Sequence, residues 1–252
     1  MKPFFLYLTY NAVHAPLEAT QKYLDRFTSI KDEKRRTHAA MLAAMDDGVG
    51  AVVAKLSKEK LAENTLVFYI SDNGGPTPQT TSSNAPLRGF KGQVYEGGVR
   101  IPFMAQWPGQ IPAGKTYDQP VISLDMFATA VAAAGAKPPE KPLDGVDLLP
   151  HVTGKKDTPP HEALYWRFGQ QHAVRRANHK LLRGPQEAND QLYDLAADIS
   201  ETKDLAADKA DVAKELKDLY AKWDSQLVAP LWRGGGAGGV EPRTRPNRRA
   251  NV

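Results

Sequence analysis

The chain has 252 residues, 41% of them hydrophobic and 25% charged, which is the composition of an ordinary globular protein with room for one large domain and a small one. The absence of cysteine excludes disulfides, thiolate metal sites and a cysteine nucleophile, and no stretch approaches the roughly 20 apolar residues of a membrane-spanning helix. The net charge of +4 does not support nucleic-acid binding, because five arginines against the single acid Glu241 in the tail from Arg233 onward account for all of it.

The opening MKPFFLYLTYNAVHAPL has two readings. A lysine, a short apolar run and the small-residue stretch AVHA resemble a secretory signal peptide. Pro3 at the start of the run and Thr9, Tyr10 and Asn11 at its end favour the other: FFLYLTY is a buried strand that delivers His14 to the loop beyond it. From Asp32 to Leu56, the residues Leu42, Met45, Val49, Val52 and Leu56 recur at helical spacing and predict an amphipathic helix. TLVFYI is β-branched and aromatic on both faces, as in a central strand of a parallel sheet covered by helices. IPFMAQWP reads as a further short strand. SLDMFATAVAAAG reads as a helix capped by Ser123 or Asp125 and ended by Gly135.

After Pro138 the texture changes. EALYWRF, QHAVRRA, HKLLRG and QLYDL are short runs between turn residues and predict an antiparallel meander. Asp208 to Leu227 predicts a closing helix with Val212, Leu216, Leu219 and Trp223 on one face. The expected fold class is therefore α/β. Residues 1–150 form a mixed, largely parallel sheet flanked by helices, and residues 151–230 a small antiparallel sheet plus helix. Residues 231–252 form a basic Gly/Arg-rich disordered tail.

Ligands of open α/β sheets bind beyond the carboxyl ends of the strands. There, TLVFYI runs through Ser71 into Asp72-Asn73-Gly74-Gly75, and FFLYLTY runs into Asn11 and His14. Asp72 and Asn73 offer hard oxygen donors suited to Ca²⁺ or Mg²⁺, although Asp and Asn before Gly-Gly equally make a plain turn. In LRGFKGQVYEGGVRIP, Lys91 stands between Gly89 and Gly92, where the backbone approaches an anion closely and the ammonium supplies a point charge. A glycine-rich surface loop with a solvated lysine is the alternative. HEALY at His161 lacks the second histidine of a zinc helix. His38, His151, His172 and His179 read as structural or solvated. Asp46 and Asp47 point in different directions along a helix and do not pair.

Taken in order, PFFLYLTYNAVHAPL, AAMDDGVGAVVAKL, NTLVFYISDNGG, PLRGFKGQVYEGGVRIPFMAQWPG, LDGVDLLP and QLYDLAADISETKDLA resemble the carboxyl-terminal half of a sulfatase of the arylsulfatase-like group, in the alkaline phosphatase superfamily. The resemblance covers nearly all of residues 2–227 and implies that the first stretch is an internal strand, not a signal peptide. It implies that Asp72 and Asn73 ligate a divalent cation, usually Ca²⁺, that Lys91 binds the sulfate oxygens, and that His14 contacts the sulfate and protonates the leaving alcohol. The family's formylglycine, made within a C/S-x-P-S-R motif, and a further aspartate pair belong to its amino-terminal half. This chain has no such motif, and NAPLR at 84–88 matches only its P-x-R part. The implied activity is hydrolysis of a small-molecule or carbohydrate sulfate ester, by a chain that is inactive alone; export to the periplasm or beyond is implied too. A phosphatase or phosphonate hydrolase of the same superfamily is one alternative, and a non-catalytic fragment acting as a binding partner is another.

Overall fold

The structure, a computed structural model, describes residues 3–229; the expected disordered tail lies outside them. The run Phe4–Tyr10 is not a strand. It carries no ladder partner among the described residues, and Phe5 is 82% and Tyr7 78% exposed. Its alternating aromatic and aliphatic pattern suits a sheet, but a strand exists only where a neighbour takes up its backbone groups.

A four-residue helix α1 (Gln21–Leu24) and the 3₁₀ turn Asp25–Phe27 lead into α2 (Glu33–Lys58). Asp32 caps α2, its carboxylate accepting the Arg35 N–H at 2.6 Å. Met45, Val49, Val52 and Leu56 of the expected stripe are half-buried, but Leu42 is 47% exposed, and His38 and Met41 are buried at that end of the helix. Burial, reinforced by the Arg35 guanidinium, holds the His38 imidazole below its ordinary 6.5. The unfolded chain therefore takes up a proton that the folded chain refuses once the pH falls below about 6.5, so this contribution to stability is present above that pH and lost on acidification. The urea midpoint is expected to fall between about pH 7.5 and 5.5, and to fall less in His38→Gln; equal falls in both proteins would contradict the assignment.

Strand β1 (Val67–Ile70), helix α3 (Glu96–Val99) and strand β2 (Phe103–Gln106) follow. β1 and β2 pair antiparallel, from Val67↔Gln106 to Ile70↔Phe103, so among the described residues the expected parallel sheet is not formed. The cause is the excursion between them. Its base is closed where Ser71 N–H donates to Pro102 O at 3.3 Å, so the chain re-enters at the strand end it left and must run back antiparallel. That excursion, residues 71–102, carries Asp72, Asn73 and Lys91.

Beyond it come α4 (Asp125–Ala133) and α5 (Leu149–Val152). Asp125 ties segments together and does not cap α4 in the expected way. Its buried carboxylate accepts the N–H groups of Ile122 at 2.8 Å and Val146 at 2.9 Å and faces His161 Nε2 at 2.9 and 3.0 Å. Gly135 lies just past α4 at φ +62°, the left-handed position that ends a helix without a Cβ clash.

Strands β3 (Leu164–Phe168), β4 (Gln171–Arg176), β5 (His179–Arg183) and β6 (Gln191–Asp194) form the expected meander in sequential order, and α6 (Ala210–Asp224) closes it. Successive strand residues point to opposite faces, and both faces of this sheet are used. Val174, Leu181 and Leu192 meet Leu216 of α6, while Ala173, Leu182 and Tyr193 pack with Val94 and Tyr95 from the excursion. The small sheet is thus held between its own helix and the loop that carries Lys91.

Candidate active site

His14 and Lys91, 77 residues apart, meet: His14 Nε2 and Lys91 Nζ are 2.9 Å apart. A turn in which His14 N–H donates to Asn11 O at 2.8 Å sets the imidazole. Its Nδ1 lies 2.6 Å from Ala15 O and, as the donor there, leaves an Nε2 lone pair for the Lys91 ammonium. His14 is exposed and Lys91 half-buried, so the pair faces solvent.

Backbone packing brings the Lys91 loop against the loop that follows β1. Gly74 N–H donates to Gly98 O at 3.0 Å, and a Cβ on Gly74 would lie 1.8 Å from Gly97 O. Only glycine permits that approach. Gly89 and Gly92, which flank Lys91, hold φ of +83° and +86°, so the hairpin presenting the lysine also depends on its glycines.

Asp72 is exposed and Asn73 half-buried at the mouth of this contact. Asn73 Nδ2 donates to Gly74 O at 3.0 Å, which leaves Oδ1 as the side-chain oxygen available to a cation, and Ser71 Oγ donates to Asn73 O at 2.9 Å. The donor chemistry fits part of a hard-cation shell. Among the described residues no group of three or more His, Cys, Asp or Glu side chains could hold a metal, so the two oxygens do not make a complete ligand set. The site residues therefore divide into a directly bonded pair, His14 with Lys91, and a second pair joined to it through backbone.

Sequence reading missed the side chain that reinforces this join. Asn84 Oδ1 accepts Gly75 N–H at 3.0 Å, while its Nδ2 donates to Gly75 O at 2.9 Å and to Gly89 O at 3.1 Å. One amide thereby stitches the Asp72 loop to the Lys91 loop. The only signal available was an asparagine placed between two glycine-rich turns. A cleft of about 500 Å³ lies beside His14, with Asn11, Glu18, Thr20, Tyr23 and Met41 among its lining residues.

The chain resembles known proteins along nearly all of its described length. The family profile described as Sulfatase matches residues 1–136, and that of the C-terminal region of N-sulphoglucosamine sulphohydrolase matches residues 90–226. The chain is 35% identical over 183 residues to N-acetylgalactosamine-6-sulfatase of Canis lupus familiaris, covering 71% of this chain and 34% of that protein. It is 32% identical over 171 residues to steryl-sulfatase of Homo sapiens, covering 65% of this chain and 28% of that protein. It thus spans about a third of the length of these curated relatives. The crystal structure of Ps i-CgsB in complex with k-i-k-neocarrahexaose superimposes with a TM-score of 0.85 at 35% identity, over 92% of this chain and 52% of that one. The glycine-locked loops and small carboxyl-terminal sheet of this chain thus lie in a region that two family profiles cover almost end to end, and the chain belongs to the sulfatase family, whose members are sulfuric ester hydrolases.

Proposed function

We propose that this chain carries the sulfate-gripping half of a sulfuric ester hydrolase acting on a sulfated small molecule or carbohydrate. The observation that carries the reading is the 2.9 Å pairing of Lys91 Nζ with His14 Nε2, with the Lys91 loop itself locked against the Asp72 loop by its glycines. A sulfuryl group entering between them would have its oxygens held by the ammonium. His14, once protonated at Nε2, would give that proton to the departing alkoxide oxygen, Nδ1 being turned to Ala15 O. The leaving alcohol is assigned to the cleft beside His14, where Glu18, Thr20, Tyr23 and Asn11 provide hydrogen-bonding groups for hydroxyls. Asp72 and Asn73 would hold a Ca²⁺ or Mg²⁺ ion, which when bound would neutralise charge on the sulfuryl oxygens.

The nucleophile and the remaining ligands are assigned to segments of the enzyme outside this chain, since the chain has neither cysteine nor a C/S-x-P-S-R motif. Binding without turnover follows. Inorganic sulfate is expected to bind weakly, and to bind more weakly still in His14→Ala/Lys91→Ala, as followed by calorimetry. 4-Nitrophenyl sulfate with Ca²⁺ should release no phenolate above that double variant. Equal sulfate binding by both proteins would refute the assignment of the pair, and phenolate release by the unaltered chain would refute the division of labour.

A further inference from the structure

Glu96, which opens α3 five residues after Lys91, is 1% exposed and lies among charges, although its Oε2 has no hydrogen-bond partner. Its backbone N–H donates to Glu201 Oε2 at 2.7 Å. Its Oε1 accepts from Lys180 Nζ at 2.7 Å, and Lys180 Nζ also lies 2.9 Å from Glu201 Oε1. Lys180 and Glu201 are both 0% exposed. Arg100 and Arg175 stand farther off, each 3.7 Å from Glu96 Oε2.

Stability alone does not account for this group. Burying three ions costs so much desolvation that well-packed apolar residues commonly do as well or better. Glu201 also holds φ +54°, a left-handed conformation that non-glycine residues adopt at a cost and keep where the surroundings demand it. The surroundings here are the Lys91 hairpin. Gly97 N–H donates to Arg88 O at 2.7 Å, and a Cβ on Gly98 would lie 2.0 Å from Gln93 O, so α3 and residues 88–93 have no slack between them. Other bonds run the same way. Gln171 Nε2 donates to Gly92 O at 2.9 Å, and Arg88 donates to the Tyr193 hydroxyl at 3.0 Å and to Glu201 O at 3.2 Å.

We infer that Lys180, gripped by Glu96 and Glu201, is a positioning residue for Lys91. By fixing the start of α3 on the carboxyl-terminal sheet, it holds the hairpin where the Lys91 ammonium reaches His14. The inference rests on the reading of that pair as the sulfate-facing groups, but its test does not require turnover.

The test is the acylation rate of Lys91 by an amine-reactive ester, read by peptide mass spectrometry against Lys214, an exposed lysine on α6. Lys180→Met is expected to raise the Lys91:Lys214 ratio by about tenfold, the factor that corresponds to releasing the Lys91 ammonium from its hydrogen bond to His14. The neutral triple variant Glu96→Gln/Lys180→Met/Glu201→Gln removes every buried charge of the group. It should recover much of the urea midpoint lost in Lys180→Met without restoring the ratio. An unchanged ratio in Lys180→Met, or restoration of both midpoint and ratio in the triple variant, would overturn the inference and leave a packing role only. Should Lys180→Met fail to fold, Glu201→Gln keeps the same shape and is expected to raise the ratio by a smaller factor; no rise there is equally fatal. Inorganic sulfate is titrated in parallel. If it fails to bind the unaltered chain, the sulfate reading of Lys91 falls while the ratio still judges the positioning role.

Discussion

Gly74→Ala is expected to lower the unfolding free energy by about 3 kcal/mol or more, at or beyond the upper end of overpacking penalties. The new methyl would sit 1.8 Å from Gly97 O, 2.7 Å from Gly97 C and 2.9 Å from Gly98 Cα. All three are backbone atoms, so no side chain can swing aside, and one loop must move bodily. That movement breaks the 3.0 Å bond from Gly74 N–H to Gly98 O and shifts the Lys91 hairpin relative to Asp72 and Asn73. Stability and sulfate binding should therefore fall together. Gly50→Ala is the control: nothing lies within 4 Å of its Cβ, and within α2 it should raise stability by about 0.5–1 kcal/mol through reduced backbone entropy in the unfolded chain. Urea unfolding of both variants decides the matter. A Gly74→Ala protein as stable as Gly50→Ala would mean that the two loops are not in contact.

What was legible in the sequence was what depends on local pattern. The 3.6-residue period fixed α2 and α6, and turn residues between short apolar runs fixed the four-strand meander, because those elements satisfy their backbone bonds within themselves or with the next segment. The parallel sheet was not legible. β1 and Phe4–Tyr10 have the composition of central strands, but pairing partner and direction are non-local properties, and the bond from Ser71 to Pro102 that turns β2 antiparallel has no composition signature. At the site, glycines near charged or amide residues pointed to Asp72, Asn73 and Lys91, whereas His14 was singled out as the loop residue beyond a run, Phe4–Tyr10, that does not form its expected strand. That Lys91 and His14 touch required the fold. Lys180 had left a clue: in HKLLRG it shares a strand face with Leu182, and a lysine at an inward position requires buried partners. Glu96 and Glu201, 105 residues apart, gave no matching clue that they would be those partners.

Asn84→Asp should be more harmful than Asn84→Ala at neutral pH, an order that hydrogen-bond counting alone would reverse. Alanine removes one acceptor and two donations at a half-buried position, a loss of about 2 kcal/mol. Aspartate is isosteric and keeps the acceptor for Gly75 N–H, but it turns a carboxylate oxygen towards Gly75 O and Gly89 O, which now face Asn84 Nδ2 at 2.9 and 3.1 Å. Three oxygens without a proton among them repel, and the loss should reach about 3 kcal/mol or more. The same repulsion raises the folded-state pKa of the introduced carboxyl above its unfolded value. Its penalty is then largest at neutral pH and shrinks as the pH falls through that raised value, where the protonated acid regains one O–H donor. Referred to the unaltered protein at each pH, which cancels the His38 contribution, the Asp variant should approach and then pass the Ala variant between about pH 7 and 4. Two variants that track each other at every pH would show that the Asn84 amide donates to neither carbonyl. The join between the Asp72 loop and the Lys91 hairpin would then rest on the glycine contacts alone.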